Sequence, residues 1–178
     1  VSVLNVNDNA PLLADQSFSI SESAPDGTSL GIVAAVDYDG DSLRFEILSG
    51  NLDDAFHLEA EDGMLRVASA AAIDFETRES YALTISVSDG KHVVEAQLQI
   101  AVENENDNQP VLADALFAIS ESAAPDHLIA VLAAEDADGD ELTYTLAGEA
   151  SPLFALDAES GALQVAAGAS FDYESGVT

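Results

Sequence analysis

The 178-residue sequence predicts an all-β chain made of tandem Greek-key β-sandwiches, the second ending before its last two strands. Three observations carry this. First, the chain is nearly two copies of one unit: Asn7-Asp8-Asn9-Ala10-Pro11 recurs as Asn106-Asp107-Asn108-Gln109-Pro110, an offset of 99 residues. Phe18-Ser19-Ile20-Ser21-Glu22-Ser23 and Asp37-Tyr38-Asp39-Gly40-Asp41 recur at that same offset, while Asp74-Phe75-Glu76 meets Asp172-Tyr173-Glu174 at 98. Second, the hydrophobic period inside the unit is two, the signature of strands with one buried face. Third, sustained helical periodicity is absent. A period near 99 exceeds that of solenoids and fits autonomous domains in series.

Taken in order, Val1 to Asn5 aligns with Ile100 to Asn104, so residues 1–10 are expected to be the tail of a preceding repeat and its linker. Repeat one is expected over 11–103. Pro25-Asp26-Gly27 is a turn, followed by a strand over Ile32–Val36. Leu43, Phe45 and Ile47 alternate with polar residues after the Asp39-Gly40-Asp41 turn, and Asp62-Gly63 marks another turn. Tyr81, Leu83, Ile85 and Val87 form one face of a strand; past Asp89-Gly90, Val94, Ala96, Leu98, Ile100 and Val102 form the next. Seven or so short strands in about 100 residues make a Greek-key sandwich. A linker is expected over 104–110 and an incomplete repeat two over 111–178. There Leu142, Tyr144 and Leu146 copy a strand, and Thr178 falls where the copy of Tyr81–Val87 begins.

The charge is extreme: 34 Asp+Glu against 4 Lys+Arg, a formal −30. All four cations, Arg44, Arg66, Arg78 and Lys91, lie in the first half, so no basic patch exists to meet phosphates. Nucleic acid and anionic membrane surfaces are poor partners for such a chain, and cations are good ones. Hydrophobic residues make up 48%, too many for a merely repulsive acidic tail. No apolar run approaches the roughly 20 residues of a membrane span. With no Cys there are no disulfides and no thiolate metal sites; stiffness in a small domain must come from elsewhere, and a metal is one source.

Asp136, Asp138 and Asp140 alternate, which puts three carboxylates on one face of an extended stretch. Two carboxylates about 4 Å apart repel by about 1 kcal/mol in water and about 4 near a protein surface. A hard divalent cation removes that penalty, and oxygen-only ligands favour Ca²⁺. An EF-hand is excluded: the Gly stands at loop position four, position twelve is Leu48 or Ala147, and strands flank the loop.

The ordered motifs resemble the cadherin repeat at five places over almost the whole chain. Asn104-Glu105-Asn106-Asp107-Asn108-Gln109-Pro110 is similar to that family's Asp-x-Asn-Asp-Asn-x-Pro junction. Glu22 and Glu121 resemble the Glu closing its first strand, and Asp37/Asp39 and Asp136/Asp138 its Asp-x-Asp loop. Ile73-Asp74-Phe75-Glu76 resembles its Leu-Asp-Arg-Glu motif, and Val87-Ser88-Asp89-Gly90 its late Asp-x-Gly. The resemblance implies Ca²⁺ between successive repeats. For the complete junction it implies Glu22, Asp74 and Glu76 from repeat one, side chains of Asn106 and Asp107 with backbone carbonyls of Glu105 and Asn108 from the linker, and Asp136 and Asp138 from repeat two. Asn7, Asp8 and Asn9 with Asp37, Asp39 and Asp89, beside Asn5, then form half of an upstream junction; Glu121, Asp172 and Glu174 form half of a downstream one.

The sequence departs from that pattern. Asn5 and Asn104 replace the family's first junction Asp, Phe75 and Tyr173 stand where Arg is frequent, and Asp41 and Asp140 add carboxylates without a firm counterpart. There is no Trp, so adhesion by tryptophan exchange does not carry over. Gly27-Thr28-Ser29-Leu30-Gly31 matches a nucleophile elbow, yet a strand follows it where a helix is required, and the aligned stretch Asp126 to Ala130 has no Ser. His57, His92 and His127 fall in separate segments without zinc-ligand spacing. The expected function is therefore non-enzymatic. One form is calcium-dependent cell adhesion by an extracellular or cell-surface array, whose partners are other cadherin-like repeats, in cis or homophilically in trans. The alternative is a carbohydrate-binding or spacer module of a large secreted adhesin or polysaccharide-acting protein, with surface glycans as partners. The lack of Cys and of any Asn-x-Ser/Thr sequon leans toward a bacterial array.

Overall fold

The structure is a computed structural model and describes residues 1–174. The expected strand start at Thr178 lies outside the described residues. The chain divides into a unit Val1–Glu105 and a second unit that begins at Asn106.

In the first unit the period-two segments become strands whose apolar phase faces inward. A four-stranded sheet runs in the order β2 (Gln16–Ser21), β9 (Val93–Glu103), β8 (Ser80–Ser88), β5 (Arg44–Ser49). A three-stranded sheet of β3 (Ser29–Ile32), β7 (Met64–Val67) and β6 (Phe56–Leu58) faces it, with a short pair β1 (Leu12–Leu13) and β4 (Ala35–Val36) at the margin. β8 and β9 are antiparallel through nine paired positions, whereas β2 lies parallel to β9 from Gln16↔Leu98 to Ser21↔Glu103. That long-range parallel pairing closes the Greek key. Leu83, Ile85 and Val87 of β8 and Leu98 and Ile100 of β9 are fully buried against Leu65 and Val67 of β7. At one edge the Phe56 and Tyr81 rings meet edge-on, centroids 5.0 Å apart.

The expected strand Ile32–Val36 is broken: β3 ends at Ile32 and β4 starts at Ala35. Between them Val33 turns into the core and its N–H is satisfied by the carbonyl of Gly63 at 2.9 Å. Gly63 sits at φ +70, where a side chain is strained, and a Cβ there would lie tight against the Phe45 ring at 3.1 Å. Residues 1–5 form no strand. No strand of the unit pairs with them, and Val1, Val3 and Leu4 are exposed.

The second unit repeats the three-stranded sheet as β11 (Leu128–Val131), β14 (Ala162–Val165) and β13 (Phe154–Leu156), and the marginal pair as β10 (Val111–Leu112) and β12 (Ala134–Glu135). Even the irregularity is copied: the register shift at Ser29/Gly31 reappears at Leu128/Ala130. The four-stranded sheet does not reappear among the described residues. The strand expected at Leu142, Tyr144 and Leu146 is not formed, nor is the counterpart of β2 over 115–120. The reason is hydrogen bonding. In the first unit β2 pairs only with β9 and β5 only with β8, and the described residues of the second unit hold no counterpart of either inner strand. Phe117 is consequently 47% exposed, and a cleft of about 350 Å³ opens among Phe117, Ile119, Leu153, Phe154 and Phe171.

The change of offset from 99 to 98 is now located. Phe45 and Tyr144 are equivalent by their bonds to Ala60 and Ala158, whereas Gly50 and Gly148, and Phe56 and Phe154, stand 98 apart. The lost residue thus falls in the stretch where β5 carries a bulge, between Ile47 and Ser49.

Candidate metal centre

Strand register sends the acidic residues of the first unit to opposite ends of the four-stranded sheet. Glu22 follows β2 beside the end of β9, where its N–H reaches the Glu103 carbonyl at 3.2 Å. Asp89 follows β8 at the other end, where Ser88 pairs with Arg44 and Val93. Nine residues of β8 at about 3.4 Å each separate the two groups by about 30 Å.

At the Asp89 end, Asp37, Asp39 and Asp41 bring one carboxylate oxygen each within 4.8 Å of one another. Asp39 holds the N-terminal stretch: its Oδ2 accepts the backbone N–H groups of Asp8 and Asn9 at 2.8 and 2.6 Å, and its Oδ1 accepts the Asn9 amide at 2.7 Å. The backbone N–H and then the side chain of Asn9 hold its carboxyl below the ordinary carboxylate range. Asn5 donates to the Asp39 carbonyl at 2.7 Å and Asn7 to the Asp89 carbonyl at 3.2 Å, so the stretch 5–9 is laid over the loop. Asp89 is itself buried. Burial opposes its ionisation, but hydrogen bonds from His92 and Lys91 outweigh that and hold its carboxyl well below the usual range. Asp41 is shifted the other way, upward, by burial first and then by the negative charges of Asp37, Asp39 and Asp89.

At the opposite end Glu22 is buried and bridges two segments, Oε2 accepting from Phe75 N at 2.6 Å and Oε1 from Glu105 N at 2.7 Å. Asp74 caps its own turn through Thr77, and Glu22, Asp74 and Glu76 each place an oxygen within 4.8 Å of the others.

The second unit copies both arrangements. Asn108 holds Asp138 by its backbone N–H and its amide, both at 2.8 Å, and also reaches Asp107 at 2.9 Å, while Asn106 bonds Asp140. Asp136, Asp138 and Asp140 form one oxygen cluster and Glu121, Asp172 and Glu174 another, with Tyr173 N on Glu121 at 3.2 Å where Phe75 N meets Glu22.

The donor set fits a hard cation. It consists of carboxylate, amide and carbonyl oxygens, and three of these, Asn7 Oδ1, Asp37 Oδ2 and Asp41 Oδ2, are buried without a hydrogen-bond partner. Buried acceptors in that state call for a donor or a cation, and carboxylates gathered this closely fit a cation. No group of metal-competent side chains among the described residues includes a His. Ser29 lies within β3 with its Oγ on Met64 Sδ at 2.9 Å, in no strand–turn–helix elbow. Two contributors escaped the sequence reading: Lys91, whose Nζ holds the Asn7 carbonyl at 2.6 Å, and His92, on Asp89 at 2.9 Å. Their closeness to Asp89 in sequence was the available signal. Tyr38 and Tyr173 stand exposed.

Against known proteins, the family profile described as "Cadherin domain" matches residues 16–103. All of the chain aligns at 31% identity with the human protein named cadherin EGF LAG seven-pass G-type receptor 2, and 93% of it at 35% identity with the Drosophila melanogaster Fat-like cadherin-related tumor suppressor homolog. The chain spans 6% and 4% of the lengths of these two relatives. Among solved structures, human protocadherin-24 EC1-2 superposes with a TM-score of 0.71 at 26% identity, over 96% of this chain and 81% of that one.

Proposed function

This chain belongs to the cadherin family, and on that premise we propose that it is a segment of a calcium-dependent adhesive array at the cell surface. The observation that carries the reading is the twofold recurrence of one donor set together with buried oxygens that have no partner. Glu22, Asp74, Glu76, Glu105, Asn106, Asp107, Asn108, Asp136 and Asp138 are the proposed ligands of the complete junction, Asn7, Asp8, Asn9, Asp37, Asp39 and Asp89 those of the upstream one, and Glu121, Asp172 and Glu174 those of the downstream one. Bound Ca²⁺ supplies the positive charge that turns mutual carboxylate repulsion into attraction. The residues do the rest. Asn9 and Asn108 pin the linker to the Asp loop, and Glu22 ties the end of β9 to the Asp74 turn.

Calorimetric titration of the chain with CaCl₂, with thermal unfolding in Ca²⁺ and in chelator, tests the reading. Saturable binding and a raised midpoint are expected; at 100 times Kd, each site adds about 2.7 kcal/mol. Absence of binding overturns it. For adhesion, beads bearing the chain should aggregate in Ca²⁺ and disperse in chelator. Capture on glycan-coated surfaces without bead aggregation would favour the carbohydrate-binding alternative.

A further inference from the structure

We propose that Asp41 is itself a calcium ligand; this rests on the calcium reading above and adds to it a carboxylate outside the ligand set given there. The hydrogen bonds of the Asp37–Asp41 loop sort its carboxylates by task. Asp39 spends its oxygens on the linker, accepting from Asp8 N, Asn9 N and Asn9 Nδ2. Asp37 spends Oδ1 on the turn, accepting from Asp39 N at 2.9 Å and Asp41 N at 3.1 Å, and keeps Oδ2 buried and unpartnered. Asp41 spends no oxygen on the turn. Its contribution there is its N–H alone, and its Oδ2 is buried with no partner, within reach of the other two carboxylates.

An Asp beside Gly is ordinarily a turn former whose carboxylate accepts a nearby N–H. Asp41 does not work that way. Gly40, at φ +76, turns the chain back after Asp39, and this reversal brings the Asp41 carboxylate to the face already held by Asp37 and Asp39. Gly139, at φ +81, does the same before Asp140, and Asp140 N bonds Asp136 Oδ1 at 3.3 Å as Asp41 N bonds Asp37. Three carboxylates are gathered where two suffice to shape the loop. Affinity for Ca²⁺ rises with the number of charged ligands, so the third has a use only when the cation is present.

The test compares the full chain with its Asp41→Asn and Asp62→Asn variants. Asp62 lies in another turn, belongs to none of the clusters, and its loss removes the same charge. By calorimetry with CaCl₂, Asp41→Asn should weaken one class of sites about tenfold or more, and Asp62→Asn should leave it unchanged. Thermal unfolding should show a change of sign: Asp41→Asn raises the first unit's midpoint in chelator, where it relieves repulsion, and lowers it in Ca²⁺. Binding by the parent chain with equal affinities for both variants overturns the Asp41 assignment and leaves the calcium reading intact. A midpoint lowered equally in Ca²⁺ and in chelator overturns it too, by making Asp41 structural. No binding by the parent chain overturns both.

Discussion

Asn9 grips Asp39 by two bonds at once, its backbone N–H on Oδ2 at 2.6 Å and its side-chain amide on Oδ1 at 2.7 Å. The same clasp joins Asn108 to Asp138, with both distances 2.8 Å. A fork of this kind fixes the direction in which the remaining lone pairs of the carboxylate point, as outer partners do around metal ligands generally.

Asn9→Ala keeps the backbone half of the clasp and removes the amide half. The expected outcome is a loss of calcium affinity of about 10–100-fold at the upstream set, the range typical when an orienting partner is removed. Calorimetry reads it directly, and an affinity equal to the parent's would rule out an orienting role for the amide.

Asp107→Ala should weaken calcium binding more than a change at Asp126, an acid of a turn outside every cluster. The comparison variant is Asp126→Asn, because Asp126 sits at φ +62, where Ala is strained and Asn is tolerated. Indistinguishable titration curves for the two would remove Asp107 from the proposed ligands.

Core substitutions should divide the two units. Leu98 is fully buried between β2 and β8, and Leu98→Ala should cost the first unit about 2–5 kcal/mol in chemical denaturation. Ile119 lines the open cleft of the second unit, so Ile119→Ala should cost well under half of that, since the side chain already meets water. Equal losses would mean that the second core closes over Ile119.

Burial raises the Tyr81 phenol above its ordinary value near 10, and its hydroxyl donates to the Ala72 carbonyl. The sign follows from linkage: the fold binds this proton more tightly than the unfolded chain does. The corresponding stability is complete below about pH 10 and is lost as pH climbs from there through the folded value. Tyr81→Phe should therefore flatten the alkaline limb of the first unit's stability profile. A limb of unchanged slope in denaturant melts between pH 9 and 12 would assign it to another group.

Much of this was legible in the sequence because the repeat supplied its own control. An acid that recurs in register with Asp107 stands out from acids that merely solvate the surface, and period two placed Leu83, Ile85, Leu98 and Ile100 in the core correctly. The failures share one cause. At Leu142, Tyr144 and Leu146 the alternation is intact, yet a strand exists only if a neighbour accepts its hydrogen bonds, and alternation says nothing about neighbours. The break at Val33 was likewise hidden, since it depends on what the chain meets after folding.

The parallel pairing of β2 with β9 has a mechanical consequence. The chain enters the first unit at the Asp39 end and leaves it past Glu103 at the other, so tension applied through the flanking chain pulls β2 and β9 along their length in opposite directions. The bonds from Gln16↔Leu98 to Ser21↔Glu103 then carry load in shear, all together, and none can peel open ahead of the rest. A zipper of the same bonds would fail one rung at a time at low force; this arrangement yields in a single event at high force, which suits a domain whose neighbours are pulled apart.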